Sequence, residues 1–118
     1  MTSKALALAQ RVLILSSESG AGGGESVFLT AILSSSDWTQ ATVEDPWIAT
    51  KTVSGILTTD RLIVVDIDLS SVALLDIYTV ETSWSNLYRG EISANDQMKF
   101  YATNQPTSNF NLLITGAR

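Results

Sequence analysis

The chain has 118 residues, with seven Lys and Arg against twelve Asp and Glu, a net charge of −5, and neither histidine nor cysteine. That length fits one domain able to bury a proper core without staples. The missing residues exclude Ser-His-Asp and Cys-His catalysis, disulfides, and thiolate or imidazole metal sites, while the acidic balance and scattered bases argue against a nucleic-acid partner. No apolar run approaches the length of a membrane span, so no membrane insertion is expected. Ser and Thr together number 28, and only 16% of residues are charged, which leaves a hydroxyl-rich surface suited to protein–protein contact.

Near the start, the apolar stretch 5–15 is interrupted by Gln10 and Arg11, which argues against a signal peptide. Helix propensity and the shared face of Leu6, Ala9 and Leu13 favour an N-terminal helix over 3–15 that docks on, or links to, a partner subunit. The run Val12-Leu13-Ile14-Leu15 reads better as a strand, because it is continuous and β-branched. Residues 16–24 are Ser- and Gly-rich and have the composition of a flexible linker. Gly24 is followed by Glu25 and a strand, where a phosphate loop needs Lys and a helix. The division expected is an attachment segment and linker over 1–24 and a folded domain over 25–118.

Residues 27–33 are apolar on both faces, as in a strand covered on both sides. Trp38 and Trp47 flank a polar loop closed by Asp45-Pro46. Residues 48–53 form a half-exposed strand, and Gly55 marks a bend. In the strand 61–69, Ile63, Val65, Ile67 and Leu69 share a core face. Leu62, Val64, Asp66 and Asp68 share the other face, which turns acidic and emerges into water, or meets a partner, near Asp66. The spacing of Ala73, Ile77, Val80, Trp84 and Leu87 predicts a helix over 72–87, capped by Ser70 or Ser71 and stopped by Gly90; two short strands are the alternative. Ile92, Met98, Phe100 and Ala102 alternate about a turn at 94–97 and predict a hairpin, and Phe110, Leu112 and Ile114 predict a closing strand. Together these elements predict a mainly β, compact antiparallel β-sandwich or jelly-roll-like fold with one short helix.

Several fragments together carry a family likeness. They are Leu33 … Trp38, Thr52-Val53-Ser54-Gly55-Ile56, Val64-Val65-Asp66-Ile67-Asp68-Leu69, and Trp84 … Leu87-Tyr88-Arg89. They continue with Met98-Lys99-Phe100-Tyr101-Ala102 … Gln105-Pro106-Thr107 and end at Asn111-Leu112-Leu113-Ile114. Residues 27–118 thereby resemble a small β-rich domain of structural proteins from tailed bacteriophages and prophages, of siphophage tail-tip, baseplate, receptor-binding or head-fibre type. The resemblance implies a virion protein that forms trimers or hexamers and contacts other virion proteins. It supplies no catalytic residue and no cofactor, so no enzyme is expected.

Three groups of residues compete for a functional role. Asp66 and Asp68 lie about 6–7 Å apart along one strand face. With Asp76 or Glu81 they could supply oxygen ligands to Ca²⁺, against the plainer reading of a solvated acidic edge. Trp38 and Trp47, bordering a loop, are candidates for a platform that stacks host-surface polysaccharide, against packing in the core or a subunit seam. Phe28, Ile77, Val80 and Trp84 are candidates for an oligomer interface. Arg89 and Glu91 are expected to pair across such an interface.

Overall fold

Alternating apolar residues build two four-stranded antiparallel sheets. The structure, a computed structural model, describes the backbone of residues 12–14 and the whole of residues 26–118. The strands are β1 (Val12–Ile14), β2 (Ser26–Leu33), β3 (Trp38–Thr39), β4 (Trp47–Thr52), β5 (Arg61–Asp68), β6 (Leu87–Ala94), β7 (Gln97–Ala102) and β8 (Phe110–Ala117). One sheet has the order β1-β5-β8-β2 and the other β3-β4-β7-β6. Strand β2 runs beside β8, and β4 beside β7, so strands far apart in the chain become neighbours. The chain therefore wraps over itself in a jelly-roll-like way, and the β-sandwich expected from the alternation is the architecture observed.

Between the sheets, Leu33, Ile63, Val65, Leu112 and Ile114 meet Ala49, Val53, Met98 and Phe100, all fully buried. Helix α1 (Ile77–Trp84), entered through a 3₁₀ turn at Leu74–Asp76, closes one end. Its Trp84 stands edge-on to Phe110, with centroids 5.8 Å apart and planes at 84°. The helix is shorter than 72–87, since Thr79, Thr82 and Ser83 are poor helix formers and no side chain caps its start. The Ser70 amide bonds to Asp68 instead, and Gly90 lies inside β6, beyond a helix that ends at Trp84 with Ser85 as its C-cap. The inward stripe holds for Val80, Trp84 and Leu87, while Ala73 is exposed. Among the described residues, no helix is long and apolar enough to cross a membrane.

Two expectations need correction. Residues 12–14 form a strand, not part of a helix, and pair with β5 from Val12–Val65 to Ile14–Ile63, as their β-branched run favours. The rest of 3–15 and the linker 16–24 lie outside the described residues. Strand β2 is covered on one face only: Val27 and Leu33 are buried, while Phe28 is 67% exposed and Ile32 57%. Its second apolar face has no layer over it among the described residues.

The crossing from β4 to β5 is fastened from two sides. At the β6–β7 hairpin tip, Asp96 adopts φ 65, and its carboxylate accepts the Gly55 amide at 2.8 Å, while Asn95 accepts the Thr58 amide at 3.0 Å. From the other side Arg118 donates to Asp60 from Nε at 2.8 Å and from Nη2 at 3.1 Å, and Nη2 also reaches the Gly55 carbonyl at 2.6 Å. Asp60 is fully buried and also accepts the Leu57 amide at 2.9 Å. Just beyond, β5 bulges between Arg61 and Val64, with Leu62 at φ 54 turned to solvent. Gly116 of β8 makes room for the bulge, because a Cβ there would press on Ile63 Cδ1 and lie 2.9 Å from the Arg61 carbonyl.

Burial pushes the Asp60 carboxyl up. Hydrogen bonds from Arg118 and Leu57, with the charges of Arg118 and Arg61, outweigh it and hold the group below its ordinary 3.8. A carboxyl depressed in the folded state contributes stability that is whole above its unfolded value and fades as pH falls through its folded one. Asp60→Asn is therefore expected to cost about 2 kcal/mol near neutral pH. The gap from the natural chain should close as pH drops below 3.8, read by denaturant unfolding across a pH series.

Candidate functional site

Side chains pointing away from the core on the β1-β5-β8-β2 sheet form three rows across β2, β8 and β5. The pairing places Phe28 beside Thr115 and Val64, Thr30 beside Leu113 and Asp66, and Ile32 beside Asn111 and Asp68. One end is apolar and hydroxylic, and the β5 side becomes acidic from Val64 to Asp68, as the alternation predicted. A groove of about 280 Å³ runs between Phe28, Val64, Asp66, Leu113 and Thr115. Among the described residues, Phe28 and Ile32 are the largely exposed apolar side chains of β2, and Leu62 of β5 is 62% exposed.

The other interface candidates face inward. Val80 and Trp84 belong to the chain's own core, and Ile77 is half-buried, so the helix cannot offer that stripe to a partner. Leu74, Leu75 and Tyr78 are the exposed apolar groups there, at 83%, 94% and 71%. The signal for them was present, since a Leu pair standing off the inward stripe has no core to enter.

Trp38 and Trp47 do not stand exposed as a pair of rings. Trp38 is 4% exposed, opposite Ala49 in the β3–β4 pair, and Trp47 is half-buried against the same core. Both rings point inward because residues 38, 47 and 49 share the core face of their pair. Of the tyrosines, Tyr88 is exposed beside Tyr101, with centroids 6.4 Å apart. Tyr101 donates its hydroxyl to Glu91 at 2.7 Å, and the Arg89 guanidinium lies 4.7 Å from its ring. The hydrogen bond to Glu91 and then burial push the phenol above its ordinary 10.0, against the lowering pull of Arg89. Arg89 and Glu91 pair within the chain, at 2.9 Å. Such an exposed pair adds about 0–1 kcal/mol.

Asp66 and Asp68 are not gathered with other carboxylates. Asp68 Oδ1 accepts the Ser70 amide at 2.9 Å, and the Ser70 side chain and amide hold the carboxyl below its ordinary range. Asp66 Oδ1 accepts the next amide, Ile67, at 2.9 Å. Among the described residues no three carboxylates come together as a metal site, and Asp76 is exposed while Glu81 turns into the core.

Glu81 itself is unusual. It is 2% exposed, and both carboxylate oxygens, like Nε1 of Trp38 and Trp84, have no hydrogen-bond partner among the described residues. Comparison with family models, with curated proteins and with solved structures gives no significant match.

A buried carboxyl without a partner opposes folding, and an apolar residue of similar volume removes that cost. Glu81→Leu is expected to stabilise the fold by about 1 kcal/mol, seen as a higher thermal midpoint. A lower midpoint would show that Glu81 has a partner its surroundings conceal.

Proposed function

We propose that this chain is a virion structural protein of a tailed bacteriophage. It acts as a tail-tip, baseplate or head-fibre component that assembles with copies of itself and with other virion proteins, and it supports host adsorption. The observation that carries the assembly part is the uncovered outer face of β2, β8 and β5. Phe28 and Ile32 stand more than half exposed on a strand whose composition is that of an interior one. Exposed apolar side chains in a contiguous row mark a contact surface more often than isolated ones do. The virion part rests on the resemblance of residues 27–118 to a small β-rich domain, with which the two-sheet fold is consistent. The burial of Trp38 removes the pair on which polysaccharide recognition would have stood, so that reading is not carried further.

Assembly through this face makes the mass in solution the direct test. Light scattering after size exclusion is expected to give a trimer or hexamer at high protein concentration that dissociates on dilution. Replacing Phe28 and Ile32 together by Ser should weaken association by about tenfold or more, since each exposed side chain would lose its burial. The fold should be unchanged, because neither residue contributes to the core. A monomer at every concentration would overturn the assembly reading.

A further inference from the structure

Sheet edges carry unpaired backbone donors and acceptors, and folded proteins blunt them with short strands, charges or bulges. Among the described residues, the two sheets end in four edges, β1, β2, β3 and β6. Three are blunted. Strand β1 has three residues and β3 has two. Strand β6 carries Arg89 and Glu91 and breaks register between Leu87 and Arg89 and again between Ile92 and Ala94. Strand β2 has none of these devices. It runs eight residues with no charge and no proline, and pairs with β8 from Ser26 to Leu33 without a bulge. No described strand lies along its other side.

We propose that β2 pairs antiparallel with β2 of a second copy, joining two β1-β5-β8-β2 sheets into one continuous sheet across a two-fold axis at Thr30. This rests on the self-assembly reading above and names the contact that it uses.

The register follows from the pattern of side chains. Because successive residues alternate faces, a self-pairing keeps Phe28, Thr30 and Ile32 on one face only if a residue, not a gap, sits on the axis. With Thr30 there, Phe28 of each copy lies across from Ile32 of the other, Leu29 across from Ala31, and Val27 across from Leu33. The two exposed apolar residues then cover each other twice, and the axis holds a Thr–Thr pair, a favourable cross-strand combination. Moving the axis to Leu29 sets Phe28 against Thr30 and Ile32 against Ser26, which buries less apolar surface. Moving it to Ala31 shortens the overlap.

A second copy is favoured over a foreign strand by this self-complementarity and by charge. Each chain carries −5, so copies repel, and an edge with no charged residue is where they can approach at least cost. A two-fold contact closes between two copies. It therefore selects an even-numbered assembly, a hexamer over a trimer.

The chain has no cysteine, so single introduced cysteines report contacts without background. Directly opposed residues have Cβ atoms about 4.5–5.5 Å apart, close enough for a disulfide after small adjustment. The two Phe28 positions would be about 13 Å apart along the strands. Under mild oxidation of the full chain, Thr30→Cys should convert to a disulfide-linked dimer, doubling its mass in non-reducing gels. Phe28→Cys mixed with Ile32→Cys should give a cross-linked dimer where either variant alone gives little. Tyr88→Cys, exposed on the other sheet, should give none. An associated protein in which these pairs cross-link no better than Tyr88→Cys would overturn the β2 contact and leave self-assembly standing. A protein that stays monomeric throughout, with its edge open to a strand of another protein, would overturn both.

Discussion

Asp60 lies fully buried where the chain passes from one sheet to the other, and a carboxylate in that position has to be answered in full. Arg118 answers it with two hydrogen bonds, the Leu57 amide with a third, and the same guanidinium also holds the Gly55 carbonyl. The clamp joins the start of β5 to the end of β8. It does so beside the one place where their register shifts, between Arg61 and Val64. Once β5 and β8 are set, the rest of the outer face follows, because β8 pairs with β2 along its whole length. The ion pair thus fastens one end of β5 and β8, the two strands that carry Val64, Asp66, Leu113 and Thr115 of that face.

That dependence explains why the chain can leave apolar groups exposed on one face without losing its order. The core is complete without Phe28, Ile32 or Leu62, and the sheet carrying them is pinned by backbone pairing and by the buried carboxylate. Stability and surface are separable here. A contact surface can therefore be apolar without being needed for folding, which is what an assembling module requires. Glu81 shows the opposite arrangement, buried with no hydrogen-bond partner among the described residues.

Much of the fold was legible in the sequence because alternation is a local signal. Ile63, Val65 and Ile67, the 94–97 turn and the closing strand from Phe110 all stand where period-two patterning puts them. The inward stripe of the helix was legible too, but its length was not, since the weak propensities of Thr79, Thr82 and Ser83 do not say how far packing will carry a helix. The Asp60–Arg118 clamp joins residues 58 positions apart, and no local pattern announces it. Trp38 and Trp47 misled for a related reason: flanking a loop says nothing about which way a ring points, and the β3–β4 register turns both inward. The double-sided apolarity of 27–33 suggests two covering layers, whereas Phe28 and Ile32 stand exposed. The opposite sheet covers one face, and among the described residues nothing covers the other.

The central claim is that β2 is an interface strand, and amide hydrogen exchange at two protein concentrations tests it most directly. If copies join through β2, amides in residues 27–33 should become more protected at the higher concentration, while those of β6, on the edge of the other sheet, stay unchanged. Protection in β2 that is the same at both concentrations, with the protein shown to be associated at the higher one, would contradict the account.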